Sequence, residues 1–582
     1  MKGTVLAAAL YAALTIVLAW PLSADPAGRV LSDSPDTELF LWTLTWDTHS
    51  FTHAPLSIFD ANIYHPERNT LAYSENLIGS ALLAAPILWL THNPVLALNL
   101  VGLLSCVLCG VGAYVLARRT GIAAPGATLS GLIFAFSPPR FFRLGQLHLT
   151  AVQWVPFTLA ALHAYLDGGR PVHLRIAAAL FTLQAYTSGH GAVFLIIASA
   201  GLIAYRLARG EPLTFTRRLR DLGFPGVLLL LPSVLLYLPY RSVQQEMGLR
   251  RSLVDWGINP GSFLASPAHA QTWLLSLFPA ARINETAWAY LFPGFLPLVL
   301  AALLLLLRAR SSDAVPGAHT PTRKPFVASG FSRTVAPVGP AEAGHYEQDR
   351  PIVRSTPFYA LLTILALWLS IGPPLGLWPL VYWVPGFSFI RVPARFTILA
   401  LLGLAVLAGA GFERLRGRLS QRTGIVLAVV MGVLLVGEFA AMPLATVPYE
   451  VEQPGVDRWL RTQIPPFAIA EVPLPNPRNL GATERRHTEY MLHSTAHWQK
   501  TVHGYSGFRP PRHVEMYSEL REFPDERSLR RLTEIGVRYV VVHTDLYEPG
   551  EWPRAEARIA SFASRLTLEY TAGAGRVYSI RP

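Results

Sequence analysis

The chain has 582 residues, of which 51% are hydrophobic and only 15% are charged, whereas a soluble globular domain carries about 25% charged residues. This composition excludes an ordinary soluble enzyme and, with its long apolar stretches, predicts a polytopic protein of the lipid bilayer. The formal net charge of +12 does not indicate a nucleic-acid partner, because the arginines cluster in short loops between apolar segments, as the positive-inside rule predicts.

The first apolar segment, residues 4–20, follows Lys2 and precedes an acidic loop. This asymmetry predicts a cytoplasmic N-terminus and places the first loop, residues 21–92, outside the membrane. No small-x-small cleavage site directly ends the apolar core, and Trp20-Pro21 is typical of an interfacial end. We therefore expect a retained span and not a cleaved signal peptide.

Three carboxylates lie within six positions of the first loop: Asp33, Asp36 and Glu38. A carboxylate accepts a proton from an attacking hydroxyl, or orients it, at hydrogen-bond distance. This loop is therefore where the sequence has room for chemistry. The structural alternative stays open, since acids in a first helical turn offset the macrodipole by about 0.3–1 kcal/mol and Asp33 is suited to capping.

A helix is predicted from Pro35 to Phe51, because proline is favoured in a first turn and Ser34 is a suitable N-cap. Its large apolar residues share one face, which predicts a helix lying along the membrane surface. These residues are Leu39, Trp42 and Trp46.

Alternating apolar segments and basic loops predict an all-α membrane domain, residues 1–443, with about eleven transmembrane helices of about 20 residues each. Residues 76–90 are broken by Pro86, and counting them as a span would place Arg118 and Arg119 outside, so a second surface helix is expected there. The predicted spans are residues 4–20, 95–117, 127–138, 151–166, 176–188, 193–207, 222–240, 290–307, 358–371, 397–412 and 425–441.

Two further regions differ from this pattern. Residues 311–356 are rich in Pro, Gly, Ser, Arg and Ala without any period, which predicts a flexible cytoplasmic insert. Residues 444–582 have the composition of a soluble domain and predict a small extracytoplasmic α/β domain. Its predicted elements are buried strands at 467–472 and 537–543, a helix at 528–535, and a hairpin of 566–571 with 576–580.

Several segments together resemble a known family. Residues 31–46 and the segment Phe59-Asp60-Ala61-Asn62-Ile63-Tyr64-His65-Pro66-Glu67 resemble the first extracytoplasmic loop of GT-C-type membrane glycosyltransferases, in the bacterial sub-group described as dolichyl-phosphate-mannose transferase-like. The resemblance extends to residues 134–141 and 391–396, and more weakly to the C-terminal domain. It implies a transferase of the inner (plasma) membrane that takes a sugar from a polyprenyl-phosphate carrier and transfers it to a glycan, lipid or protein acceptor.

The resemblance also implies site residues. The family's first-loop acid maps onto either Asp33 or Asp36, with Asp36 preferred as the base. From their chemistry, Arg391 and Arg395 are expected to bind the donor phosphate, because the planar guanidinium holds phosphate oxygens bidentately and residues four apart share a face if the turn is helical. The alternative stays open that both arginines snorkel or neutralise Asp33 and Asp36 structurally. The minor substrate-binding candidates are Arg140, His148, Glu38 and His65.

The candidates have structural alternatives. Arg140 and Arg143 end an apolar segment, where snorkelling to headgroups is the default, and His65, His148 and His190 are more often structural hydrogen-bonding residues at an interface. No acidic pair like the metal site of the oligosaccharyltransferase branch is found, so no metal ligand is assigned and dependence on a divalent cation stays open.

Two other functions are weighed against the transferase. A transporter or flippase for lipid-linked glycans requires ionisable residues in mid-span, and Glu438 is the one late candidate. A non-catalytic protein of cell-envelope glycan assembly, with its outer domain binding a partner, is not excluded by the sequence.

Overall fold

The computed structural model describes residues 2–211, 214–248, 260–277, 289–307, 355–373, 375–384, 387, 390, 392–475 and 479–581. Residues 311–354 of the predicted insert and Arg391 lie outside this set. The described residues before position 440 are mostly helical.

Six helical segments are long and apolar enough to cross a membrane, as expected of a multi-pass membrane protein, and five apolar helices of 10–17 residues accompany them. The predicted count of eleven spans stays a prediction, because length and apolarity alone do not decide which of the shorter helices cross. The six segments are Pro94–Arg119, Leu147–Leu166, Gly189–Ala208, Phe215–Met247, Pro393–Arg416 and Gln421–Phe439.

The helices of this part are numbered in chain order. They are α1 (Lys2–Leu18), α2 (Pro35–His53), α3 (Ile78–Thr91), α4 (Pro94–Arg119), α5 (Ala124–Phe136), α6 (Pro138–Phe141), α7 (Leu147–Thr150), α8 (Trp154–Leu166), α9 (Pro171–Thr187), α10 (Gly189–Ala208), α11 (Phe215–Met247), α12 (His269–Ser276), α13 (Phe295–Leu306), α14 (Thr356–Ser370), α15 (Trp378–Val381), α16 (Thr397–Arg416) and α17 (Gln421–Phe439). Short 3₁₀ turns lie at Pro55–Ser57, Thr70–Tyr73, Pro260–Leu264 and Pro393–Phe396.

Helix α16 is the centre of the helical part. Every residue from Thr397 to Glu413 is buried, and α5, α13 and α14 pack around it. Its small and aliphatic side chains allow close packing on every side, since a helix that is apolar all round has no face that must meet water.

Residues 447–581, here called the C-terminal unit, form a five-stranded mixed sheet with flanking helices. Strand order is β4-β3-β5-β7-β6, with β3 parallel to β4 and β5, and β7 antiparallel to β5 and β6. The elements are β2 (Val447–Pro448), α18 (Gly455–Leu460), β3 (Ala468–Val472), α19 (Leu480–His493), β4 (Lys500–Thr501), α20 (Pro511–Leu520), α21 (Glu526–Glu534), β5 (Val537–His543), α22 (Trp552–Ser561), β6 (Leu566–Ala572) and β7 (Gly575–Ile580).

The elements predicted for this region agree with the structure. The strands at 467–472 and 537–543 correspond to β3 and β5, the hairpin is β6–β7, and the helix at 528–535 is α21. Helices α18, α19, α20 and α22 were not predicted.

The C-terminal unit packs directly on the first loop. Strand β1 (Arg29–Val30) pairs antiparallel with β2, the Tyr64 N–H donates to His503 O at 2.9 Å, and the His49 and Trp498 rings stack at 4.0 Å. Helix α2 lies between α19 on one side and α3 and α4 on the other.

This position of α2 corrects one prediction. The expected lipid-facing stripe of Leu39, Trp42 and Trp46 is wrong, because all three side chains are buried by protein. An apolar stripe indicates burial, and here the covering surface is the protein's own C-terminal unit and helices.

Candidate active site

The N-terminal end of α2 forms one wall of a cleft of about 230 Å³. Ser34 is the N-cap, accepting a hydrogen bond from the Thr37 N–H at 3.4 Å, and Pro35 occupies the first turn. The helix therefore begins where the sequence predicts, and Asp36 lies half-buried in its first turn. The polar residues lining the cleft are Ser32, Ser34, Asp36, Thr37, Arg143, Gln146 and Tyr290.

The opposite wall is the turn between α5 and α7, which Arg140 holds in place. The guanidinium is fully buried and donates from Nε to Phe134 O at 2.9 Å, from Nη2 to Ala135 O at 2.6 Å, and from Nη1 to Thr150 O at 3.1 Å. Every guanidinium nitrogen thus bonds to a main-chain oxygen. Arg140 is structural here, and its predicted part in substrate binding has no contact to support it.

Arg143, three residues later, is the cation that lines the cleft. Its Nη1 donates to Gln146 Oε1 at 3.0 Å, and burial lowers the pKa of its guanidinium to about 10, so it stays charged at neutral pH. The turn sits close against α4 because Gly102 has no side chain; a Cβ there would meet Leu144 O at 2.9 Å.

The three first-loop acids all contact the C-terminal unit. Asp33 Oδ2 accepts from Arg485 Nη2 at 2.6 Å in an exposed ion pair, and Asp36 Oδ1 accepts from the Tyr505 hydroxyl at 3.0 Å. Asp36 is the acid of the three that also lines the cleft, and among the described residues none hydrogen-bonds to its Oδ2.

Glu38 is buried beneath this contact. It accepts from the Tyr449 hydroxyl at 3.0 Å and from the Thr488 hydroxyl. Burial raises the pKa of its carboxyl, against the lowering effect of both hydroxyls. Glu38 therefore holds the C-terminal unit on α2, and its assignment as a substrate-binding residue stays a prediction.

A row of polar and aromatic side chains continues from the cleft along α2. Phe40, one turn after Asp36, stacks on His148 with ring centroids 5.0 Å apart, and His148 lies edge-on to His190 at 5.6 Å. Arg395 Nη1 lies 2.7 Å from His190 Nε2. Three separate elements thus bring the predicted residues Asp36, His148 and Arg395 into one region, and His190 of α10 lies between the last two.

Glu75, which was not predicted, and His190, which was expected to be structural, together orient Arg395. Glu75 Oε1 pairs with His190 Nδ1, and Oε2 accepts the Gly189 N–H at 2.7 Å. An imidazole with its proton on Nδ1 donates to Glu75 and accepts from Arg395. The Ser188-Gly189-His190 sequence, with Ser188 as N-cap of α10, was the available signal for His190.

The ionisation of Glu75 follows from these contacts. Burial alone raises the pKa of its carboxyl, but His190, the Gly189 N–H and Arg395 outweigh burial and lower it below the ordinary value. The contact depends on close approach of α3 to the end of α9, since a Cβ on Gly79 would meet Thr187 Oγ1 at 2.3 Å.

His65, a residue of the first loop, contacts the C-terminal unit and does not line the cleft. Its Nε2 is 2.8 Å from Ile535 O, and burial lowers the pKa of its imidazole, so the structure gives it a docking contact. Arg391 is outside the described residues, and its pairing with Arg395 stays a prediction. Within the described residues no three metal-ligating side chains bring their donor atoms together at the cleft.

Comparison with known proteins gives structural matches alone. No protein-family model matches the sequence, and no curated protein matches it. Similar solved structures are oligosaccharyltransferase AglB from Archaeoglobus fulgidus with an inhibitory peptide and a dolichol-phosphate (14% identity, TM-score 0.45, 99% of this chain and 74% of that chain), and ArnT from Cupriavidus metallidurans bound to undecaprenyl phosphate (12% identity, TM-score 0.43, 99% and 97%).

Both matched proteins are GT-C glycosyltransferases, the family that the first loop resembles. Their identities to this chain are below 25% and their TM-scores below 0.5, so the likeness carries no argument about substrates or site residues. The assignment of chemistry rests on the cleft itself.

Proposed function

We propose that the chain is a membrane glycosyltransferase that transfers a sugar from a polyprenyl-phosphate-linked donor to an acceptor on the outer side of the membrane. The observation that supports this most is the cleft that holds the Asp36 carboxylate on one wall and the Arg143 guanidinium on the other. Arg395 lies in the adjoining row of side chains. The donor class follows the sequence resemblance.

The reaction requires a proton acceptor and a positively charged phosphate site. The acceptor oxygen attacks the anomeric carbon, the bond from that carbon to the phosphate oxygen breaks, and the phosphate leaves with the electron pair. Asp36 takes the hydroxyl proton or orients the hydroxyl through Oδ2. Arg143 and Arg395 bind the departing phosphate, because guanidinium groups stay charged and hold its oxygens with paired hydrogen bonds.

Arg395 is effective in this role only if its guanidinium is oriented. His190 accepts from its Nη1 and is itself held by Glu75, so the two side chains fix the direction of the guanidinium. Glu75 and His190 are positioning residues in this proposal. Among the described residues that line the cleft, Asp36 is the one carboxylate, and dependence on a divalent cation stays an open question of the proposal.

The C-terminal unit packs against the first-loop acids at the site. Its Tyr505 hydroxyl bonds to the same Asp36 carboxylate that is proposed as the base, and its Arg485, Thr488 and Tyr449 bond to the neighbouring acids. We propose that it lies on the outer side of the inner (plasma) membrane, where a glycan, lipid or protein acceptor reaches the cleft beside it.

Donor turnover by the purified chain tests this proposal. In lipid nanodiscs with a panel of labelled polyprenyl-phosphate sugars and a cell-envelope extract as acceptor, we expect release of free polyprenyl phosphate from one donor. Arg143→Gln and Arg395→Gln should each raise the donor KM by about 10- to 100-fold, since a hydrogen bond to a charged group contributes about 1.5–3 kcal/mol.

Arg209→Gln, at the far, exposed end of α10, is the matched control and should leave the donor KM unchanged. Tight donor binding without release by wild-type protein would instead favour a transporter or a non-catalytic assembly protein. An equal effect of all three arginine substitutions would contradict the assignment of Arg143 and Arg395 to the phosphate.

A further inference from the structure

The C-terminal unit buries a cluster of acidic and imidazole side chains away from the cleft. Asp457 comes from α18, Glu471 from β3, His493 from the last turn of α19, and His543 from the end of β5. Strands β3 and β5 are parallel neighbours, so Glu471 and the end of β5 lie side by side, and the two helices cover them.

The potential ligand atoms converge. Glu471 Oε2 is 3.0 Å from His493 Nδ1 and 2.8 Å from His543 Nε2, and the donor atoms of these three residues all lie within 4.8 Å of one another. Asp457 Oδ2 is 3.9 Å from His493 Nδ1. Glu471, His493 and His543 therefore converge on one point, and Asp457 lies beside His493 as a fourth potential ligand.

The cluster contains buried carboxylate oxygens that lack a hydrogen-bond partner. Both Asp457 and Glu471 are 0% exposed. Among the described residues, neither oxygen of Asp457, nor Glu471 Oε1, has a hydrogen-bond partner. An ionised carboxylate buried without a partner is strongly unfavourable, and a cation between these side chains would satisfy these oxygens.

We infer that Asp457, Glu471, His493 and His543 form a buried binding site for one divalent transition-metal ion of the zinc type. Mixed imidazole and carboxylate donors match Zn²⁺, whereas Ca²⁺ and Mg²⁺ take oxygen donors. Two carboxylates with two neutral imidazoles also balance the charge of a divalent ion. Four protein ligands in a closed, buried site are typical of structural and not catalytic zinc.

The ion would tie α18, β3, α19 and β5 together. Because α19 also carries Arg485 and Thr488, which contact Asp33 and Glu38, metal binding would stabilise the surface of the C-terminal unit that covers the first loop. The inference does not depend on the proposed transfer reaction. In the competing arrangement, a proton on His493 takes the place of the metal ion. Burial lowers the pKa of His493, but the neighbouring carboxyl groups of Glu471 and Asp457 outweigh burial and raise this pKa to about 9.

Metal content of the full-length chain is the test. The protein is purified in detergent without a histidine tag, stripped with a chelator, incubated separately with Zn²⁺, Co²⁺ or Mg²⁺, and freed of unbound ion. About one Zn²⁺ or Co²⁺ per chain should remain, with visible d–d absorption for Co²⁺ and a raised thermal unfolding temperature, and Mg²⁺ should be lost. Wild-type protein that retains no Zn²⁺ or Co²⁺ overturns the inference and leaves the protonated network.

Variants locate the ion. His543→Gln and Asp457→Asn should weaken Zn²⁺ binding by more than about 100-fold, beyond the 10–100-fold effect of residues that only support a ligand. His513→Gln is the control, because His513 is a buried histidine of the same unit that bonds to Val502 O and not to this cluster. Unchanged Zn²⁺ affinity in the first two variants would place the ion elsewhere.

A measurement on the wild-type chain covers the case in which those variants do not fold. Cu²⁺ bound at this site should show nitrogen splitting from two imidazoles in its electron paramagnetic resonance spectrum. A Cu²⁺ spectrum without nitrogen splitting overturns the assignment of His493 and His543.

Discussion

The substitution Glu75→Gln tests whether Glu75 positions Arg395 through His190 or only makes a local contact. The carboxylate accepts two hydrogen bonds, from the Gly189 N–H and from His190 Nδ1, and its side chain is 18% exposed. Glutamine has one acceptor oxygen and so loses one of these bonds, which corresponds to about 1.5–3 kcal/mol for a bond to a charged group. We expect the thermal unfolding temperature in detergent, followed by tryptophan fluorescence, to fall by about 1–3 °C for a chain of this length.

The same substitution should impair donor binding. Without the carboxylate, His190 loses the partner that fixes its ring, and Arg395 loses its orientation, so the donor KM should rise by about tenfold while kcat changes less. Glu67→Gln, in the same loop, is the control; no ion pair involves Glu67 among the described residues. If Glu75→Gln has the wild-type unfolding temperature and donor KM, the claim that Glu75 orients Arg395 through His190 is refuted.

The pH dependence adds a second check on Glu75. Because its pKa is lowered in the fold, its stabilising contribution is fully present above the ordinary carboxyl value and is lost as the pH falls through the lowered value. The difference in unfolding temperature between wild type and Glu75→Gln should therefore be constant from pH 7 to about pH 5 and disappear in more acidic solution. A difference that grows on acidification would contradict this account.

Three further substitutions are checked by the same unfolding measurement. Glu38→Gln should gain stability relative to wild type as the pH rises, because a carboxyl with a raised pKa loses its favourable protonated state on passing through that pKa; a constant difference would contradict the raised value. Arg140→Lys should lower the free energy of unfolding by about 3 kcal/mol or more, since one ammonium cannot bond to all three carbonyls that the guanidinium contacts. A variant as stable as wild type would instead support a side chain of Arg140 that extends to the lipid headgroups. Arg485→Gln should change stability by about 1 kcal/mol or less, because its pair with Asp33 is exposed, and a larger loss would show that this pair holds the C-terminal unit.

Local signals in the sequence predicted the elements well. The Ser34-Pro35 pair starts α2 where expected, because it supplies a cap and a preset backbone angle within two residues. The run from Val537 to His543 predicted β5 with the bounds that the structure has. Helix α19 was missed because its sequence is mostly polar and charged and offers only a narrow apolar face.

The parts of the site that could not be predicted depend on long-range contacts. Glu75 and His190 are 115 positions apart, and no periodicity links them. Arg140 lies at the end of an apolar segment, where snorkelling is the default, but the backbone around it presents carbonyls that bind it inside the protein. The apolar face of α2 predicted burial correctly, but whether lipid or protein covers it depends on a unit more than 400 positions away.

The central claim is that Asp36 is the base for transfer, and one comparison tests it most directly. Asp36→Asn keeps the shape and an acceptor for the Tyr505 hydroxyl, so the fold and donor binding should be preserved, while turnover of the polyprenyl-phosphate donor should fall by about 100-fold or more. Asp33→Asn, which alters the acid paired with Arg485 at the surface, should retain turnover. Wild-type turnover in Asp36→Asn, measured beside a folded and donor-binding control, would contradict the catalytic assignment of the first loop.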